Sequence, residues 1–479
     1  MGLSFNRRGI PTMAILLAAA ASGSGKTTIT LALLAALRRR GLRIQSFKVG
    51  PDYIDPMFHT AVTGIPCRNL DPFLTDEAFV QRCFRHHCQG RDGAVVEGVM
   101  GLFDGRAPLS TPVDPTSPPL PDFASSAHVA RLLGIPVVLV IDSRGMGATA
   151  AALLYGLTRF DPRLTLAGVI FNRVASERHG QILGQAAAAV GIPVLGQFPR
   201  REDLQLPSRH LGLVPVEELQ EFARWQAAWA NLAEQHLDWQ RLLPLIQPLP
   251  AAVGALWPGI PSLPRPVRVA VARDAAFNFY YADNLDLLRA CGAEVVEYSP
   301  LQEGLLPADP CHGLWLGGGF PELLAAALSE QFKQHPLPPS HPPLYAECGG
   351  LMVLGKSLTD FQGNTHAMAG LLPLQVSMEK KLCLGYREAT VLRSTLLTQA
   401  GDRLRGHEFH RSQSWPAPTH PIYSWGSPAQ PQVEGWAGQR IHASYLHLHW
   451  GSRPDLALNL LQNFLRISKL NPARKPYHH

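Results

Sequence analysis

The chain has 479 residues, 46% of them apolar and 17% charged, with a formal net charge of +6. That length suits two or three domains, and that composition excludes a disordered chain. The small basic excess, without a long Lys/Arg run interleaved with aromatics, argues against nucleic-acid binding and gives only a mild preference for an anionic substrate.

Taken in chain order, Arg7-Arg8 and the apolar run Met13–Ala21 imitate a secretory signal. The run leads straight into a glycine-rich turn, however, and a strand feeding such a turn is apolar because it lies inside a parallel sheet. Residues 1–12 therefore read as a short extension. Strands are predicted at Ala14–Ala19, Ile44–Val49, Ala94–Val99, Pro136–Ile141, Leu166–Phe171 and Val194–Leu195, with helices between them such as Thr27–Arg40 and Ala148–Thr158. This alternation predicts a doubly wound parallel α/β sheet over residues 13–242. In Cys83-Phe-Arg-His86-His87-Cys88 the ligand types sit too close together for a usual zinc knuckle, so the segment reads as helix surface.

Seven prolines between Pro244 and Pro266 predict an extended linker over residues 243–266 without a regular element. A second α/β pattern spans residues 267–467: Val267–Ala272, a helix near Ala282–Cys291, Val295–Tyr298, Gly313–Leu316 and Leu344–Glu347. Residues 468–479 read as a tail. No other apolar run is long enough to span a bilayer, and the seven cysteines are scattered without a CxxC pair. Both observations predict a cytoplasmic protein without a membrane partner.

Three segments of the first half carry chemistry. A phosphate loop needs small residues so that successive N–H groups face one phosphate, a lysine for the outer phosphates and a hydroxyl for Mg²⁺. Gly23, Ser24, Gly25, Lys26, Thr27 and Thr28 supply these parts, although Ala20 stands where the usual pattern has glycine. Lys48-Val-Gly-Pro-Asp52-Tyr53-Ile54-Asp55-Pro56 and Glu97-Gly-Val-Met-Gly-Leu-Phe-Asp104-Gly105 follow the second and third strands, on the edge where open α/β sheets bind ligands. Asp52 and Glu97 are the candidates for Mg²⁺, which favours one or two carboxylates plus phosphate oxygens. The ordinary reading of such acids is helix capping or turn formation. Asn172 ends a strand where an amide could read a purine edge.

In the second half, Cys348 stands between a strand and Gly349-Gly350, where a thiol is exposed beside the N–H groups of a helix start. The ordinary fate of a free cysteine is a small buried side chain. Gly317-Gly318-Gly319 follows a strand, and Gly318 and Gly319 could donate to an oxyanion. Ala443–His449 is predicted as one late strand with His447 and His449 on one face. His447 is the candidate base. The second position after it holds His449 where an orienting acid would serve, so the pair reads as a Cys–His dyad. His407 and His410 fall in a predicted loop and receive no firm role.

Together these segments resemble the cobyrinic acid a,c-diamide synthases. The residues that carry the resemblance are Lys48–Pro56, Asn69-Leu70-Asp71, Glu97–Gly105, Pro207–Leu213, Gly317–Glu322, Glu347–Leu351, Gly406–His410 and Ser444–His447, in order over nearly the whole chain. The resemblance implies a dethiobiotin-synthetase-like P-loop domain joined to a class I glutamine amidotransferase domain, with ATP and Mg²⁺ as cofactors. It implies Cys348 as nucleophile and His447 as base, nucleotide and metal contacts at Lys26, Thr27, Asp52 and Glu97, and substrate contacts around Asp52, Tyr53, Ile54 and Asp104. It implies glutamine and an anionic corrinoid as partners, the a- and c-acetates being amidated through acyl phosphates. Hydrogenobyrinic acid and nickel sirohydrochlorin present similar acetates. A P-loop regulatory ATPase with a non-catalytic amidotransferase-like domain is the reading outside the class. The residues leave open whether the chain works alone or as a homodimer.

Overall fold

A computed structural model describes residues 14–106, 122–201, 208–209, 212–213, 222–247, 254–427 and 429–469. Two compact units meet in sequence between Leu256 and Trp257.

The first unit is built on seven strands: β1 (Ala14–Ala19), β2 (Ile44–Val49), β3 (Arg68–Leu70), β4 (Gly93–Glu97), β5 (Val137–Asp142), β6 (Leu166–Val174) and β7 (Val194–Pro199). They lie in the order β3-β2-β4-β1-β5-β6-β7, and every neighbouring pair is parallel. The signal-like apolar run is β1, the centre of this sheet, and all six of its residues are buried. A strand covered on both faces must be apolar throughout, which is why it imitates a signal. A short edge strand, β3, joins the six predicted strands. The Cys83–Cys88 segment ends a helix, Glu77–Cys88, whose buried face includes Cys83 and Cys88. Beyond this sheet, β8 (Ser208–Arg209) and β9 (Gly212–Leu213) form an antiparallel ribbon. The rest of Pro207–Leu213 lies outside the described residues, as do residues 1–12, residues 248–253 and the final ten. At the start of the proline-rich stretch one 3₁₀ turn forms, Leu243–Leu245. Pro244 stands at its N-terminus, where a missing N–H costs nothing.

The second unit holds two sheets. The first contains β10 (Val267–Ala272), β11 (Ala293–Tyr298), β12 (Gly313–Leu316) and β13 (Leu344–Glu347). The second is formed mainly by β14 (Ser357–Thr359), β15 (Thr365–Ala367), β16 (Gln375–Val391) and β17 (Arg403–Trp415), with β18 (Tyr423–Ser427) and β19 (Gln430–Glu434) attached. Returning to the first sheet, β20 (Trp436–Ala437) and β21 (Ile441–Ser444) complete the order β11-β10-β12-β13-β21-β20, parallel except for the last pair. Alternation in β12 and β13 sends Leu314, Leu344 and Ala346 into one core and Trp315 and Tyr345 into another, where Trp450 and Phe464 also lie.

Two expectations change here. The late strand is not continuous: β21 ends at Ser444, and β22 (His447–Leu448) pairs with Gly406–His407 of β17 in the other sheet. His407 and His410 lie on β17 rather than in a loop. The pair β16–β17 was illegible because Glu379-Lys380-Lys381 and the register shift between Met378 and Cys383 interrupt any period of two.

Candidate active sites

The phosphate loop joins β1 to the helix Lys26–Arg39. Its positive φ values fall on Gly23 (+77°) and Gly25 (+92°), and Ala20 takes none, so alanine is tolerated there. A Cβ on Gly25 would lie 2.1 Å from Asn172 Nδ2. That amide donates to Ser24 O at 3.0 Å, while Asn172 Oδ1 accepts from Arg173 N at 2.9 Å. Asn172 thus braces the loop. It also lines a cavity with Gly25, Thr28, Phe198 and Arg173 at the carboxyl edge of the sheet.

Behind the loop lies a buried cage of charge. Thr27 Oγ1 donates to Glu97 Oε1 at 2.7 Å and reaches Asp55 Oδ2 at 3.3 Å. Lys48 Nζ bonds Asp55, lies 2.9 Å from Glu97 Oε1 and stands 3.7 Å from Asp52 Oδ2. His59 Nε2 meets Glu97 Oε2 at 2.7 Å, and its Nδ1 meets Cys67 Sγ at 3.4 Å. Burial opposes charge on Glu97, but Lys48 and His59 prevail and hold its carboxyl well below the usual range. Burial and Asp52 push Asp55 up to about 8. His59 is raised to about 10 because Cys67 and Glu97 outweigh its burial. The oxygens of Thr27, Glu97 and Asp55 form a hard donor set that suits Mg²⁺.

Sequence reasoning chose Asp52 as the second carboxylate. The structure sets Asp55 against Thr27, and Asp52 caps Ile54 N at 2.9 Å on the outer side. Asp55, Lys48 and His59 were missed. The legible signal was the spacing of Asp52 and Asp55 at a helix start, because the helix Ile54–Thr63 turns Asp55 inward. Tyr53 and Ile54 are buried, leaving Asp52 as the part-exposed residue of residues 52–55. Lys26 Nζ donates to the carbonyl of Met100, which has φ +45°. Burial and Lys48 lower Lys26 to about 8. Asp104 is exposed, and its Oδ2 accepts from Gly101 N at 2.8 Å.

In the second unit, β13 ends at Cys348, whose backbone sits at φ +46°, ψ −103°. Such a conformation costs a non-glycine residue about 1–3 kcal/mol and turns the side chain out of the strand at the start of the helix Gly349–Leu354. The surrounding glycines permit the turn. A Cβ on Gly350 would lie 2.3 Å from Leu316 O, one on Gly319 (φ +155°) 2.2 Å from Ala276 O, and one on Gly318 2.6 Å from His447 Cε1. A Cβ on Gly349 would lie 3.2 Å from Gly319 N, so the triglycine amides border the thiol turn. Gly318 O accepts from Asn278 N and Phe279 N, both at 3.0 Å, which fixes that peptide.

The thiol is buried, and its Sγ–H faces Phe409 O at 3.8 Å. Burial and the charge of Glu322 push its pKa up, so the resting group is a thiol rather than a thiolate. His447 is fully buried, opposite His407 in the β17–β22 register. Burial and the proximity of His447 lower His407 to about 3 and keep it neutral. His410 stacks on Tyr445 at 4.0 Å and is raised to about 9, Cys383 and Glu408 outweighing its burial. His449 turns away from His447: its Nδ1 accepts from Gly451 N at 3.1 Å and its Nε2 lies 3.6 Å from Asp283 Oδ2. The carboxylate found beside His447 is Glu347, with Oε2 3.8 Å from Nδ1. Sequence reasoning quoted Glu347 but assigned it no part.

A phosphate loop over a carboxylate cage and a cysteine elbow under a triglycine turn are the fittings of a nucleotide-dependent glutamine amidotransferase. Residues 15–214 match the CobQ/CobB/MinD/ParA nucleotide binding domain, and residues 268–455 match the CobB/CobQ-like glutamine amidotransferase domain. The chain is 54% identical over 470 residues to the cobyrinate a,c-diamide synthase of Gloeobacter violaceus, covering 96% of this chain and 100% of that relative. It is 49% identical to the cobyrinate a,c-diamide synthase of Synechocystis, over 92% and 91% of the two chains. It is 40% identical to the hydrogenobyrinate a,c-diamide synthase of Streptomyces coelicolor, over 94% and 96%. The chain belongs to the cobyrinate a,c-diamide synthase family and is a glutamine-hydrolysing amide ligase.

Proposed function

We propose that this enzyme amidates the a- and c-acetate side chains of cobyrinic acid, each with one ATP and one glutamine. A carboxylate is a poor electrophile because its leaving group would be oxide. ATP removes that obstacle by converting it to an acyl phosphate, and ammonia then displaces phosphate. Lys26 and the loop amides hold the phosphates, Asn172 borders the nucleoside, and Asp52, Tyr53, Ile54 and Asp104 border the corrinoid. Thr27 and Glu97, with Asp55 or Asp52, would hold Mg²⁺, which neutralises charge on the transferred phosphoryl group.

Ammonia is mostly ammonium in water near neutral pH, so the nitrogen comes from glutamine. Cys348 attacks the carboxamide, His447 takes the thiol proton and passes it to the leaving ammonia, and water hydrolyses the thioester. The amides of Gly318 and Gly319, with that of Gly349, border the oxyanion. The single observation carrying this reading is the pairing, in one chain, of the Thr27–Glu97 contact behind a phosphate loop with a strained cysteine under a triglycine turn. The relative named for hydrogenobyrinate favours a second reading, the same chemistry on the metal-free macrocycle.

The test is mass spectrometry of each macrocycle after incubation with enzyme, ATP and glutamine or ammonia. One mass unit is lost for each amide formed. Cys348→Ala is expected to lose glutamine-driven amidation by at least about 10³-fold while ammonia still supports the reaction. ATP turnover over an unchanged macrocycle would overturn the reading.

A further inference from the structure

We propose that Glu347, the residue immediately before the cysteine, is the positioning acid for His447 and takes the place of the acid absent two residues beyond that histidine. The inference rests on the reading of Cys348 and His447 as nucleophile and base.

The geometry separates the two oxygens of this carboxylate. Oε1 accepts from Tyr345 Oη at 2.6 Å and from Leu448 N at 3.1 Å. These donors come from its own strand and from the residue after His447, so the carboxylate is tied to both partners of the reaction. Oε2 is directed at His447 Nδ1, 3.8 Å away. The group is 2% exposed, and the imidazole is fully buried. At 3.8 Å the contact is longer than a formed hydrogen bond. Catalytic hydrogen bonds are often long in the free enzyme and tighten when substrate arrives. His449 is directed at Asp283 instead.

An acid at Nδ1 has two consequences. It selects the tautomer with the proton on Nδ1, leaving Nε2 free to accept, and it stabilises the imidazolium formed once the thiol proton is taken. The second is needed here because burial keeps Cys348 protonated at rest. Among the described residues, the charged and titratable groups around the pair are Cys348 on the elbow with Glu322 and Glu408 acting on it, His407 and His410 on β17 with Arg387 on β16, and the phenols of Tyr280, Tyr345 and Tyr423. His407 is neutral, and of the acids Glu347 is the one that reaches His447, 3.8 Å from Nδ1.

Glu347→Gln is the discriminating change. Its Oε1 can still accept from Tyr345 and Leu448, which preserves the structural role. Its amide would donate to Nδ1, forcing the imidazole proton onto Nε2 and removing the base. With full-length enzyme, ATP, Mg²⁺ and cobyrinic acid, glutamine-driven kcat/KM is expected to fall roughly 10²-fold. The acidic limb of its pH profile should move to lower pH, because a neutral amide no longer stabilises the imidazolium. Ammonia-driven amidation, which bypasses the thiol, reports on folding, and Glu347→Asp should restore the limb toward its original pH. The inference is overturned if Glu347→Gln leaves the glutamine rate and the limb unmoved. It is equally overturned if both nitrogen sources fall alike with the limb unmoved, because that marks a purely structural residue. Cys348→Ala and His447→Ala run in parallel: if either keeps glutamine-driven amidation, the underlying nucleophile–base reading fails first, and the two failures are told apart.

Discussion

Two glycine turns, each between a strand end and a helix start, treat charge in opposite ways. Behind the turn after β1, Lys48, Asp55, Glu97 and His59 form a dense ionic cage with the Thr27 hydroxyl. Around the turn after β13 the Cys348 side chain is an uncharged thiol, and His407 is neutral. The proposed ligand of the first turn is already an anion, so its charges can be mutually compensated before the ligand arrives. In the proposed mechanism the second must create a charge during each turnover. Backbone strain at Cys348 and close-packed glycines, Gly318 against His447 among them, fix the turn before any charge exists. The same strand–turn–helix topology thus stands over compensated charge in one unit and beside an uncharged thiol in the other.

The comparison can be broken at either end. The largest effect is expected for Glu97→Gln. It unbalances Lys48 and His59 and removes the partner of Thr27, so both glutamine- and ammonia-driven amidation should fall by about 10³-fold. Steady-state rates with each nitrogen source check this. A loss confined to glutamine would show that the cage serves the thiol unit instead.

Gly318→Ala should do the reverse. Its methyl would meet His447 Cε1 at 2.6 Å, so glutamine-driven activity should drop by roughly 10²-fold while ammonia-driven activity persists. Equal rates with glutamine before and after the change would refute the close approach.

The smallest effect is electrostatic. Lys26 is held at about 8, below its usual 10.5, and phosphate prefers the protonated form. Raising the pH from 7 to 9 removes that proton from the free enzyme, so ATP affinity should weaken by about tenfold. Calorimetric titration across that range checks the sign, and affinity that rises with pH would contradict it.

Much of this was legible beforehand. β1, β2 and β12 have the bounds their apolar runs predict, and the phosphate loop and Cys348 elbow follow from glycine spacing at strand ends. These are local matters: an apolar run in a parallel sheet and a glycine at positive φ leave marks within a few residues. The long pair β16–β17 leaves no such mark, since its polar, half-exposed residues follow no clean period.

The sequence by itself determined two α/β units, a phosphate loop in one and a cysteine elbow in the other. Only the tertiary structure decided which acids accompany them. Asp55 rather than Asp52 meets Thr27 because a helix starts at Ile54 and turns it inward. His449 does not accompany His447, because the chain leaves β21 at Ser444 and joins a different sheet at His447, bringing Glu347 to Nδ1 and sending His449 toward Asp283. Side-chain direction beyond the end of a strand depends on where the backbone goes next, and no spacing rule encodes that.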